Sequence, residues 1–226
     1  MKARPRITYV EPVSYGKSPV ERAPSRETAV MSADAITVIT PIFEHAIAAH
    51  RRFAERGLPG VAAAAQSIAQ AFSAGCKVLA FGNGGSAGDA EHLVAELVGR
   101  FEIERRPLPA MALTCDSSTL TSLANDYGYV KVFARQIEAL GNPGDVAFGI
   151  STSGRSENIE AALIAAKARG LVTIALTGRD GGRMGRDADI HVNVAEQSTA
   201  RIQEVHRTIM HAICALIDRS QADRPV

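Results

Sequence analysis

The sequence predicts an α/β protein: a doubly wound, five-stranded parallel sheet flanked by helices and preceded by N-terminal helices. Three observations predict it. Five short apolar runs alternate with segments of helical periodicity from residue 77 onward. The runs are apolar on both faces instead of alternating, as parallel strands covered on two sides must be. Alanine supplies much of the apolar fraction of 46%, aromatic residues make up only 5% and Trp is absent, a balance suited to helices packed closely on a sheet.

Each element has its own justification. Residues 1–33 are rich in Pro, Arg, Ser and Glu without sustained periodicity, and are expected to form a flexible extension ahead of a folded domain over 34–226. From Ala35 to Arg56 apolar positions recur at helical spacing, with Pro41 expected as a kink or boundary. A second helix, Val61 to Ser73, follows the break at Gly57–Gly60. The strands are then KVLAF (77–81), PAMALT (109–114), DVAFGI (145–150), LVTIAL (171–176) and DIHVNV (189–194). Helices occupy most of the gaps, at 86–100, at about 117–140 with a break near Gly128, and at 155–169. A last long helix runs from about Glu196 to Arg219.

Composition removes several function classes. A net charge of +1 without a basic block gives no footing for nucleic acid. No apolar run approaches the roughly 18 residues of a membrane helix, and the first residues lack the apolar stretch of a secretory signal. Cys76, Cys115 and Cys214 are scattered and odd in number, which fits buried thiols in a reducing compartment better than a disulfide framework. The expected location is the cytoplasm.

In doubly wound sheets ligands bind beyond the carboxyl ends of the strands, so the loops after the strands matter most. The first is Gly82-Asn83-Gly84-Gly85-Ser86, leading into a helix. Glycines let the backbone approach a ligand, and N–H groups opening a helix favour an anion. The loop is neither the dinucleotide fingerprint, because Ala87 stands at the last glycine position, nor a P-loop, because no Gly-Lys-Ser/Thr follows. A plain tight turn is an equally good reading of the loop alone. After the third strand, Ser151, Thr152, Ser153 and Ser156 place four hydroxyls between a strand and a helix. One helix cap explains one of them; four make a neutral phosphate cup. The turn Thr177-Gly178-Arg179-Asp180-Gly181-Gly182 reads as structural.

The helix after the first loop carries His92 and Glu96 one turn apart, and the final helix carries Gln203 and His211 two turns apart, offset by about 80°. Two histidines, a carboxylate and an amide oxygen would complete a four-coordinate zinc site. Without further information His92–Glu96 reads equally as a solvated pair, and His211, among Ile209, Met210, Ile213 and Leu216, as a core histidine. His206 lies about 60° off Gln203 and reads as a supporting or interface residue.

GNGGSAGDAEHLVAELVGRF, LANDYGY, GISTSGRSEN, LTGRDGG and RIQEVHRTIMH together resemble the sugar isomerase (SIS) domain, and within it the phosphoheptose isomerase family, from about residue 35 to 219. The resemblance implies a ketose–aldose isomerase acting on sedoheptulose 7-phosphate through an enediol. It implies one zinc ion per subunit, held by His92, Glu96, Gln203 and His211. Glu96 would be the carbon base, with its coordination loosening when substrate binds, and His211 the partner acid/base. It implies substrate contacts from Asn83, Gly84, Gly85, Ser86, Glu96, Asn125, Asp126, Ser151, Thr152, Ser153, Ser156 and Gln203, and a homotetramer with active sites at subunit interfaces. The alternative on the same scaffold is a non-catalytic SIS protein that binds the bacterial replication initiator. Such proteins usually lack the residues matching Glu96 and His211, both present here.

Overall fold

In this computed structural model, which describes residues 26–221, the chain runs α1 (Arg26–Ala54), α2 (Leu58–Ser73), β1 (Val78–Gly82), α3 (Gly85–Val98), β2 (Ala110–Ala112) and α4 (Ser117–Tyr127). A 3-10 turn (Tyr129–Lys131) leads to α5 (Val132–Leu140), β3 (Val146–Ser151), α6 (Glu157–Ala168), β4 (Val172–Gly178), α7 (Gly182–Asp187), β5 (Ile190–Val194) and α8 (Thr199–Gln221). Every strand pairing is parallel, in the order β2-β1-β3-β4-β5. The order reverses between β1 and β3, and that reversal opens a crevice at their carboxyl ends.

The double-faced apolar strands explain the layers. β1 and β3 are buried at every position. Val78, Ala80, Val146, Phe148, Ile174 and Leu176 face a core completed by α2, α3 and α8. Leu79, Phe81, Ala147 and Ala175 face the opposite core, completed by α5 and α6. Alternate residues of one strand therefore serve different layers, as the period of two requires.

The chain divides into residues 1–42 and residues 43–226. The described part of the first unit is helical; the second holds the sheet and its flanking helices. The expected flexible extension over 1–33 falls outside the described residues except at 26–33, which form helix instead. RETAVMSA consists largely of good helix formers, which accounts for the earlier start. Pro41 lies inside α1 instead of ending it. α2 begins at Leu58, three residues before the expected start, because Pro59 falls in its first turn, where a missing N–H costs nothing. The turn expected over 177–182 closes β4 and leads at Gly182 into the unexpected short α7, whose two glycines hide it from propensity while the buried Met184 anchors it.

Candidate active site

The loop following β1 is shaped by its glycines. Gly84 holds φ +55°, in a region L side chains rarely adopt. A side chain at Gly85 would begin 2.3 Å from Gln203 Nε2, so the bare backbone there is what admits the Gln203 amide. α3 then projects His92 and Glu96 toward α8. His92 Nε2 lies 2.8 Å from His211 Nε2 and 3.4 Å from Glu96 Oε1. The Phe101 ring stacks on His211 with centroids 5.2 Å apart.

Both surface and core readings of these residues are thereby displaced: the three side chains are half-buried and aimed at one another. Burial lowers the proton affinity of His92; Arg207 and His211 lower it further, against an opposing pull from Glu96. A neutral imidazole keeps a lone pair for a ligand. Two imidazole nitrogens and a carboxylate oxygen are donor types of zinc sites, and the three ligand atoms lie within 4.8 Å of one another. Around a tetrahedral ion with bonds of about 2.0–2.1 Å, two nitrogens stand roughly 3.3 Å apart. A small rotamer adjustment of the histidine pair would therefore admit one. The residues fit a zinc-type ion. Cys214 is buried nearby, but its sulfur is not among the ligand atoms that converge; burial and the charges of Glu96 and Asp218 push its thiol up to about 12.

The end of α3 is clamped. Arg105, fully buried, donates to the carbonyls of Glu96 (2.7 Å), Leu97 (2.8 Å) and Gly99 (3.0 Å), and to Asp218 Oδ1 at 2.9 Å. Asp218 also accepts from the backbone N–H groups of Glu102 and Ile103. The charge pair thus fixes where Glu96 sits in space.

At the carboxyl end of β3, Ser151 Oγ lies 2.9 Å from Ser156 Oγ and 3.3 Å from Ser153 Oγ. Ser156 occupies the N-cap position of α6 without a side-chain capping bond, so its hydroxyl is not consumed by capping. Thr152 takes no part in this group of three. Asn83 links the two loops: its amide and that of the buried Asn158 exchange hydrogen bonds, both at 2.9 Å, and the Tyr129 hydroxyl donates to Asn83 Oδ1 at 3.0 Å. Ser86 is buried in the first turn of α3. Asn125 and Asp126 are exposed on α4 and bonded to each other; among the described residues neither is hydrogen bonded to the loops after β1 and β3. Gln203 lines a cavity of about 540 Å³ with His50, Gly85, Asp89, Glu204 and Arg207. His206 lies fully inside the fold, its Nε2–H donating to the Thr177 carbonyl.

Several residues of this neighbourhood escape the sequence. Asp89 pairs with Arg207 at 2.7 Å, and its burial outweighs that arginine to raise its pKa. Its position three residues before His92 was the available signal, since i and i+3 share a helix face. Asn158 closes the hydroxyl-rich motif, and Tyr129 follows the Gly128 break. Arg105 carries no local signal, because its partners are far along the chain.

The comparisons with known proteins agree with this geometry. The sequence matches the SIS domain family over residues 43–178. It is 51% identical over 185 residues to the phosphoheptose isomerase of Halorhodospira halophila, covering 80% of this chain and 93% of that one. It is 52% identical over 188 residues to that of Solidesulfovibrio magneticus, covering 83% and 92%. The solved phosphoheptose isomerase from Neisseria gonorrhoeae superposes with a TM-score of 0.77 at 42% identity, over 81% of this chain and 98% of that one. The chain belongs to the SIS domain family, in its phosphoheptose isomerase branch.

Proposed function

We propose that the chain is an aldose–ketose isomerase converting D-sedoheptulose 7-phosphate to D-glycero-D-manno-heptose 7-phosphate through an enediol, the opening step toward activated heptose precursors. One observation carries the reading: Glu96, His92 and His211 converge between α3 and α8, in a chain about half identical to proteins named phosphoheptose isomerase. A non-catalytic SIS binder has no need of that convergence.

The reaction moves a proton between C1 and C2 and develops charge on the flanking oxygens. Glu96 takes the carbon-bound proton, and His211 exchanges protons with the oxygens. The hydroxyls of Ser151, Ser153 and Ser156, with Thr152, hold the phosphate. Asn83, Gly84, Gly85, Ser86, Asn125, Asp126 and Gln203 hold the sugar's polar groups. Zinc, one ion per subunit on His92, Glu96 and His211 with Gln203 as fourth donor, supplies Lewis-acid polarisation of the sugar oxygens when bound.

The working form is a homotetramer with interface active sites, which is consistent with Phe43 and Ile47 of α1 and Leu216 of α8 being exposed. Its place is the cytoplasm, with neither nucleic acid nor membrane as partner; no described helix is long and apolar enough to cross a membrane. The deciding experiment is incubation of purified protein with sedoheptulose 7-phosphate, followed by NMR. Appearance of the aldose is expected; tight binding without conversion would favour the non-catalytic binder.

A further inference from the structure

Arg155, Arg183 and Arg186 line one cavity of about 450 Å³ together with Gly182, and no carboxylate lines it. Arg155 comes from the loop after β3, whereas the other two come from α7, after β4. The two segments touch backbone to backbone. A side chain at Gly154 would begin 2.1 Å from the Gly181 carbonyl oxygen, one at Gly182 would begin 2.1 Å from the Gly154 oxygen, and Met184 N–H donates to Gly154 O at 3.3 Å. The conformation is imposed, not relaxed: Arg179, in the same β4–α7 loop, is the one non-glycine with positive φ among the described residues. This interlock gathers three guanidinium groups around one space.

The arginines are incompletely satisfied. Arg155 pairs with Asp180 and Arg183 with Glu160. Both arginines are exposed, so solvent screens each pair, and each guanidinium has donors left over. Arg186 makes no hydrogen bond or ion pair among the described residues. Guanidinium forks match phosphoryl oxygens bidentately. Two linked phosphoryl groups offer enough oxygens to reach the leftover donors of Arg155 and Arg183 together with Arg186, and the volume lies in the roughly 300–1,000 Å³ range of small-molecule pockets.

We propose that this cavity binds a diphosphate group, at a site separate from the hydroxyl cup of Ser151, Ser153 and Ser156. Arg155 is flanked by two of the cup residues, and its backbone N–H donates to Ser153 Oγ at 3.2 Å. Occupancy therefore biases the cup and changes its affinity for sugar phosphate. That coupling rests on the isomerase reading; the binding itself does not.

The test is calorimetric titration of the full chain with inorganic pyrophosphate at fixed ionic strength. One equivalent per chain is expected to bind. Ser153→Ala/Ser156→Ala should leave that binding in place, and Arg183→Glu/Arg186→Glu should weaken it at least tenfold with an unchanged melting curve. Pyrophosphate held at the histidine–carboxylate cluster or in the cup would survive the arginine variant and overturn the proposal. So would orthophosphate binding as tightly as pyrophosphate, or no binding at all. Adenosine diphosphate distinguishes the source: tighter binding than pyrophosphate assigns a nucleoside diphosphate, weaker binding a free diphosphate. In turnover assays pyrophosphate should shift KM for the wild type and leave the arginine variant unmoved. A chain that binds pyrophosphate in this pattern yet converts no sugar phosphate would fail the isomerase reading alone.

Discussion

His92 and His211 meet Nε2 to Nε2 at 2.8 Å from helices 119 positions apart in sequence. At that distance one ring nitrogen donates to the lone pair of the other; release of that shared proton would leave both nitrogens, with the Glu96 carboxylate, as donors to one cation. The purified protein is therefore expected to retain zinc, and His92→Gln to lose most of it, by elemental analysis of both. Equal metal content in the two would exclude the cluster as a metal site.

Glu96→Gln keeps the shape of the side chain and removes the proposed base. Turnover is expected to fall at least about a hundredfold, the low end for general acid–base catalysis. Exchange of solvent deuterium into the sugar should vanish with it, since exchange reports the abstraction step. Persistence of exchange near the wild-type rate would place the base elsewhere.

On the proposed phosphate cup, Ser153→Ala and Ser156→Ala would act on the non-reacting end of the substrate, which binds alike in the ground and transition states. Both should raise KM with little change in kcat. A collapse of kcat at constant KM would contradict the phosphate cup.

Arg105 and Asp218 each expose only 1% of their side chains. Arg105→Met leaves Asp218 charged, buried and unpaired, and should cost about 3–5 kcal/mol in urea unfolding. Arg105→Met/Asp218→Leu should recover part of the loss. An Arg105→Met protein as stable as wild type would show that the clamp is dispensable.

His206 supplies an acid limit to stability. Burial lowers its pKa from 6.5 to about 4, against an opposing hydrogen bond to Thr177. The unfolded chain therefore binds a proton that the folded chain refuses between those two values. The contribution is intact above about pH 6.5 and is lost progressively as pH falls toward 4, by roughly 3 kcal/mol in all. His206→Gln should flatten this dependence in melting curves taken from pH 7 to pH 4; an unchanged slope would assign acid sensitivity to other groups.

The sheet was legible because parallel strands buried on two faces leave continuous apolar runs, and each of the five expected strands overlaps an observed one within two residues at either end. Helix starts were less legible: the start of α2 depends on Pro59 in its first turn and that of α1 on the helix propensity of RETAVMSA, neither of which periodicity reports. Within the site, His92, Glu96 and His211 were legible through helical spacing plus resemblance. The Gln203 amide meeting Gly85, the Asn83–Asn158 exchange and the Arg105 clamp were not, since each joins residues whose proximity only the folded sheet creates.

The reciprocal amide bonds between Asn83 and Asn158 have a consequence for substrate choice. They brace the loop that leads into α3 against the first turn of α6, directly after the loop that carries the serine hydroxyls, and so tie the two together at the carboxyl ends of β1 and β3. The stretch from the serines to Glu96 is then a fixed gauge. With the serines holding the phosphate and Glu96 acting as base, as proposed, a sugar phosphate would present to Glu96 whichever carbon lies one gauge-length away, and chains a carbon shorter or longer would present the wrong one. Discrimination by length would then follow from the brace, with no side chain needed to touch the carbons being counted.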